Sequence, residues 1–278
     1  MRHRWARLLG TAGIHAALLA YSALVLFPIL LVLMNSFKDQ MAIFGEPLAP
    51  PTPETFSVAG YLTLFDVANF GRYFLNSLIV TAVSLVLIVL LGAMAGWALA
   101  EYRFRLNTFM AIYLALGIMV PIRLGTVGIL RLMADWSLVN TLTALILVYT
   151  AMGLPLSVFI LSRFFAQLPP DFKDAARIDG ASEYRIFTLV LPLVRPALGT
   201  VAAISMIPVW NDLWFPLILA PSEKTKTIVL GAQVFLGQFL NDWQAVLAAL
   251  SLAMVPAVLL YMLFSKQLIR GLTAGAVK

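Results

Sequence analysis

The sequence predicts an all-α integral membrane protein with six transmembrane helices, in one transmembrane domain over residues 1–278. Hydrophobic residues make up 62% of it and charged residues 12%, and mean hydropathy is +0.94. An average soluble chain is about half apolar and about a quarter charged. The apolar residues gather into six runs: Ile14 to Met34, Leu78 to Ala100, Leu106 to Ile122, Leu142 to Leu161, Pro196 to Leu219 and Val246 to Phe264. Each run approaches the roughly 20 residues that a helix needs to cross a hydrocarbon core of about 30 Å. Backbone groups in lipid must be bonded within the protein, so a spanning segment is a helix or a strand of a closed barrel. Barrel strands are short and alternating, so continuous runs of this length are helices.

The first run follows a basic start, Arg2, Arg4 and Arg7, yet it is long for a signal-peptide core and no A-x-A-type site follows it. This helix is therefore expected to stay, with His15 at the interface. Residues 35–73 contain Pro47, Pro50, Pro51 and Pro53 and read as extended chain with short helices outside the lipid. In the second run Gly92, Gly96 and Ala100 form a G-x-x-x-G step that brings a neighbouring helix close, in this chain or in a partner. Pro121 and Arg123 end the third run early, so it either tilts or extends toward Leu130 through a partly unwound turn. A connection to Thr141 follows. The fifth run holds Asn211 and Asp212, and polar groups at such depth need a reason. They line a translocation path with Trp210 and Trp214, anchor an interhelical hydrogen bond, or sit at an interface where tryptophans gather. The loop from Ala220 to Asp242, with Ser222, Glu223, Lys224, Gln233 and Gln238, either meets an external partner or is a solvated hairpin. Pro28, Pro155, Pro208 and Pro256 fall inside helices and kink them, which suits a gate or static packing alike.

Lys and Arg in short loops set orientation. With the N-terminus inside, 13 of the 19 basic residues lie on the cytoplasmic side, so both termini are expected there. This distribution explains the net charge of +6 and the pI of about 9.7 without nucleic acid. Zero cysteines excludes disulfides, thiolate metal sites and cysteine nucleophiles. With only His3 and His15, a histidine-based metal site or Ser-His-Asp triad is also out of reach. No G-x-x-x-x-G-K-[ST] occurs, so any ATP the protein uses binds another subunit.

The polar segment 163–195 reads as a compact helical device. Pro169 and Pro170 stop the fourth helix and open a new one, with Asp171 and Asp174 near its positive end. Gly180 permits the left-handed turn that closes it, and Ser182 caps the next helix, from Glu183 to Leu191. Ala175 and Ala176 strip bulk from the first helix, as a surface does that fits into a groove. An amphipathic interfacial hairpin and a helix-turn-helix lookalike are the alternatives, and neither requires this alanine pair beside Asp179 and Gly180.

Asp174-Ala175-Ala176-Arg177-Ile178-Asp179-Gly180-Ala181-Ser182, with Phe187, Leu191-Pro192-Leu193 and Arg195-Pro196, resembles the EAA loop of permease subunits of binding-protein-dependent ABC importers. The carbohydrate branch is the most similar, in particular the six-helix partner of maltose-type pairs. Asn76-Ser77 opening the second helix, Trp210-Asn211-Asp212 with Pro216-Leu217 in the fifth, and the ending Arg270 to Lys278 extend the similarity over nearly the whole chain. The resemblance implies the type I ABC importer permease fold, an inner (cytoplasmic) membrane location and a heterodimer with a second permease. It also implies two ATPase subunits that hold ATP and Mg, and an extracytoplasmic solute-binding protein; this chain binds no cofactor or metal. Asp174, Ala175, Ala176, Arg177, Asp179 and Gly180 then form the contact with the ATPase, with Asp174 standing where the motif has Glu. The tail at residues 266–278 contributes Gly271, Thr273, Gly275 and Lys278 as a second contact. The loop from Pro221 to Gln238 resembles the one that reaches into the binding protein. The alternative class is an ion-coupled secondary transporter, which calls for internal repeats and a midplane ionisable residue. Asp212 is the acidic candidate and no repeat is visible. A membrane enzyme lacks a nucleophile–base or metal constellation.

Overall fold

The computed structural model describes residues 2–66, 69–235 and 242–274, and every regular element among them is a helix. The chain divides into two compact units, Met1–Phe70 with Ala232–Met254, and Gly71–Gly231 with Val255–Lys278.

In the first unit, α1 (Arg2–Asn35) contains a span over Thr11–Asn35 that buries none of its apolar window against the rest of the chain. After it come α2 (Gln40–Gly45), capped by Asp39 through the Ala42 amide at 2.8 Å, and α3 (Ala59–Asp66). These are the short helices expected of the proline-rich segment, joined by an isolated bridge between Lys38 and Phe56. Lys38 is 1% exposed. Its Nζ donates to the Glu46 carbonyl at 2.8 Å, a cation at the C-terminal end of α2, where the helix dipole favours one. Gln244 Nε2 donates to the Lys38 carbonyl at 3.0 Å and the Ser57 hydroxyl at 3.1 Å.

The second unit takes α4 (Phe70–Glu101) from Gly71 onward; Arg72 and Tyr73 are helical instead of loop, so Asn76 and Ser77 lie inside the helix instead of opening it. The third run is broken. After α5 (Asn107–Met119), Val120 is extended before Pro121, a 3-10 turn covers Ile122–Gly125, and α6 (Thr126–Asp135) leaves at 89°. Proline lacks the donor that a helix needs and holds its predecessor out of the helical region, so the unwound turn is present and the extension toward Leu130 changes direction. Next are α7 (Leu142–Ala166), α8 (Pro170–Ile178), α9 (Glu183–Val190) and a 3-10 turn at Leu191–Val194. The fifth run is also divided, into α10 (Arg195–Trp210) and α11 (Trp214–Leu219), for reasons given below. The chain continues through α12 (Ile228–Ala232) to α13 (Trp243–Ala274).

Thr11–Asn35, Phe70–Glu101, Leu142–Ala166 and Glu183–Trp210 are each long and apolar enough to cross a bilayer. The bent pair, Asn107–Met119 with Ile122–Asp135, is apolar enough only when taken together, as a broken span or a re-entrant loop, and α13 is apolar over Trp243–Leu259. Within the second unit α7 packs against α5, α10 and α11. The sequence left the neighbour of the G-x-x-x-G step open, and it is α7. A side chain at Gly92 would fall on Ser157, and one at Gly96 on the Leu161–Ser162 stretch. This approach lets the Ser157 hydroxyl donate across to the Ile88 carbonyl at 3.0 Å. Lipid tails are as apolar as leucine, so close fit and such bonds hold membrane helices together. We expect Gly92→Val to force α4 and α7 apart at an overpacking cost of about 1–3 kcal/mol, read as a lower thermal midpoint of the purified protein. Gly71→Ala is the control, because nothing lies within 4 Å of a Cβ built there.

Candidate functional site

The device from α8 to α9 has the geometry that its sequence implies. Pro170 occupies the first turn of α8. At its end Gly180 has φ +75°, its amide donates to the Arg177 carbonyl at 3.0 Å, and the Ala181 amide donates to the Ala176 carbonyl at 3.0 Å. This paired closure requires a left-handed residue, which glycine adopts without strain. The Ser182 hydroxyl then caps α9. Helical spacing places Phe172, Ala175 and Ile178 on one face, all exposed, Ile178 at 87%.

The opposite face carries charge. Arg177 serves three carboxylates: Nη2 donates to Glu101 at 2.6 Å, Nε to Glu183 at 2.9 Å and Nη1 to Asp174 at 3.2 Å. Glu183 and Glu101 hold its guanidinium protonated more firmly than an isolated arginine. Lys173 donates to Glu101 at 2.6 Å and lies 5.9 Å from the centre of the Trp97 ring. The Tyr102 hydroxyl donates to Glu183 at 2.7 Å, and burial together with that carboxylate pushes the phenol up. Beneath, Trp97, Phe165 and Phe187 pack ring against ring, with partly buried Ala176 against them. Glu101 and Tyr102 were not singled out from the sequence. Their partners lie about seventy to eighty positions away, and the one available signal was a carboxylate ending an apolar run ahead of Arg103 and Arg105.

A second group lies at the other end of α7. Asp212 accepts from the Tyr149 hydroxyl at 2.9 Å and from the first two amides of α11, Trp214 at 3.3 Å and Phe215 at 3.0 Å. Arg123 approaches it at 3.6 Å. A side chain that offers acceptors to local amides competes with the helix, and this divides the fifth run. Asp212 is thus an interhelical anchor. Trp210 is buried edge-on to Phe74, Asn211 turns its amide back to the Ile207 carbonyl, and Trp214 donates to the Thr126 hydroxyl at 3.0 Å with Arg123 over its ring.

The loop after α11 is held from two sides. Asn76 donates to the Lys224 and Lys226 carbonyls at 3.0 and 2.9 Å, and the Ser77 hydroxyl accepts from the Ile228 amide at 2.8 Å. Asn140, left-handed at φ 62°, donates its amide to the Leu219 carbonyl at 2.7 Å and accepts from the Ser222 amide at 3.3 Å. Tyr73 and Lys226 both donate to Glu223, and Ser222 bonds with Thr225. Gln233 is exposed in a 3-10 turn. Gly271 and Thr273 lie in the last turn of α13, while Gln238, Gly275 and Lys278 fall outside the described residues.

With this geometry in hand, residues 88–274 match the family described as binding-protein-dependent transport system inner membrane component. The chain belongs to that family. The diacetylchitobiose uptake system permease protein NgcG of Streptomyces coelicolor is 33% identical over 267 residues, covering 95% of this chain and 88% of the relative. The trehalose/maltose transport system permease protein MalG of Thermococcus litoralis is 32% identical, covering 91% of each. A bacterial ABC transporter involved in import of the acidic polysaccharide alginate superposes with a TM-score of 0.78 at 20% identity, over 94% of this chain and 96% of that one. The fold is therefore the type I importer permease fold, and the protein is a membrane transport subunit that works with further components.

Two measurements follow for the loop. Asn76→Ala removes two hydrogen bonds to loop carbonyls, a loss of about 1–3 kcal/mol of local stability, and amide exchange at residues 222–227 is expected to accelerate while that of α7 stays unchanged. Lys226, then Tyr73, holds the Glu223 carboxyl below the usual glutamate range. A depressed carboxylate stabilises above its unfolded pKa and loses that contribution as pH falls through the lowered folded value. The gap in thermal midpoint between the protein and Glu223→Gln should therefore be constant near neutrality and close in acid.

Proposed function

We propose that this chain is the permease subunit of an ATP-driven importer for a sugar or sugar-like solute, forming half of the translocation pathway with a second permease. Two ATPase subunits hydrolyse ATP and an extracytoplasmic binding protein delivers the solute. Both termini and α8 face the cytoplasm. The observation that carries the reading is α8 itself: a short helix closed by a left-handed glycine, charged where it meets its own chain and small or apolar where it faces outward. Such a face fits a cleft on an ATPase, and the sugar permeases among the relatives support the solute class. Asp174, Ala175, Ala176, Arg177, Asp179 and Gly180 belong to the coupling element, and the tail with Gly271, Thr273, Gly275 and Lys278 is a second contact. The braced loop with Ser222, Glu223, Lys224, Gln233 and Gln238 meets the binding protein. Trp214 and Asn211, both exposed, belong on the pathway side; Trp210 and Asp212 support them from within. An ion-coupled transporter calls for internal repeats and a free midplane carboxylate, and Asp212 is bonded to a hydroxyl and two amides with Arg123 beside it.

Reconstitution with the partner subunits tests this. Uptake is expected to stop when the ATPase binds but cannot hydrolyse ATP; uptake that persists on an ion gradient alone overturns the reading. Within that system Gly180→Val places a β-branched residue at φ +75°, at a cost of about 1–3 kcal/mol. Nothing crowds the site, so the strain is conformational. ATP hydrolysis is expected to continue while uptake falls, and Gly180→Asn, which tolerates the left-handed region, is expected to retain most of it.

A further inference from the structure

Glu101 is the last residue of α4, and each of its carboxylate oxygens takes one cation of α8: Lys173 at Oε2 and Arg177 at Oε1, both at 2.6 Å. Lys173 and Arg177 are four apart on one face of α8, so a single carboxylate bridges a full helical turn. The Glu101 side chain is 9% exposed and that of Lys173 13%, which shields the pairing from solvent screening. Along the chain α8 is joined to α7 through Gln167, Leu168 and Pro169, and to α9 through the Gly180 turn. Both joints are short breaks between helices. We propose that Glu101 is the positioning residue that makes α8 and α4 move as one piece, so that displacement of the coupling helix reaches a spanning helix directly instead of being absorbed at those joints. This rests on the coupling role assigned to α8 above. The two faces of α8 then divide the work. Phe172, Ala175 and Ile178 are free to be gripped, and Lys173 and Arg177 hold the grip to α4 by charge-assisted bonds, which are roughly twice as strong as neutral ones.

The test uses the assembled transporter in liposomes. Glu101→Gln keeps the shape and removes the charge, and it is expected to leave assembly and ATP hydrolysis in place while the solute delivered per ATP falls about tenfold, within the usual span of inter-site coupling. Glu101→Asp, with the charge kept, is expected to restore part of that ratio. The natural chain has no cysteine, so paired spin labels at Met94→Cys on α4 and Asp171→Cys on α8 report the joint itself. Their separation should stay narrow through the ATP cycle in the parent and broaden in Glu101→Gln. A Glu101→Gln transporter with the parent's solute-per-ATP ratio, or with an unbroadened label distance, overturns the proposal. If the parent imports without ATP, the coupling reading fails instead, and the label distance still decides whether Glu101 fixes α8 to α4. Loss of assembly with an unchanged ratio in the complexes that form marks Glu101 as structural only, and that too overturns it.

Discussion

Wherever a helix stops within or at the end of an apolar run, another group must replace the bonds that the helix gave up, because lipid offers none. Much of the second unit follows from how that demand is met at two places. At the α10–α11 break the amides of Trp214 and Phe215 turn to Asp212, which also binds Tyr149 on α7 and faces Arg123. At the α5–α6 break, Pro121 removes one donor outright and the 3-10 turn re-bonds the next carbonyls, with the Leu124 amide donating to the Pro121 carbonyl at 3.0 Å. The two breaks face each other, and Trp214 and Thr126 join them. A carboxylate that looks expensive in isolation is here the acceptor that three separate segments share.

The same economy governs packing. Helices in lipid gain little by burying apolar surface against one another, so contact depends on fit. Gly92, Gly96 and Gly153 lie where α4 and α7 approach, and each would clash if it carried a side chain. Toward the α8 end, bulk takes over: Trp97 and Phe165 meet edge to face at 5.4 Å, with Phe187 tilted against both. Glycine approach along the spans and aromatic wedging below them make a stiff platform, on which α8 is held by charge.

Hydropathy needs no knowledge of neighbours, and four of the six apolar runs lie in helices long and apolar enough to cross a bilayer; among the described residues the third run is bent and the sixth is apolar over a shorter stretch. Local chemistry was legible too: Pro170, Gly180 and Ser182 act within a few residues of themselves, and the structure places each in the role that its type implies. Two features stayed hidden. The start of α4 is polar enough that residues up to Tyr73 read as loop and Asn76-Ser77 as the helix opening, and nothing local shows that Tyr73, Asn76 and Ser77 hold Glu223, Lys224, Lys226 and Ile228, about 150 positions later. Asn211-Asp212 sits in an apolar run that passes for one helix until Tyr149 and Arg123 are known to lie beside it. Residues whose role is local announce themselves in sequence, and residues whose role is to join distant segments do not. Glu101 belongs to the second kind.

That distinction bears on Asp174, which stands where the motif that this segment resembles has glutamate. In this chain its carboxylate is bound by Arg177 at 3.2 Å, with 62% of the side chain exposed. An exposed pair of this sort is worth little, about 0–1 kcal/mol, and Arg177 keeps Glu101 and Glu183 if it is broken. Asp174 can therefore lose its internal partner without dismantling the cluster beneath it. The shorter side chain costs reach, but the cluster spares Arg177 from being left unpaired. What α8 leaves outward is then shape at Phe172, Ala175 and Ile178, with charge serving to orient the helix that carries them.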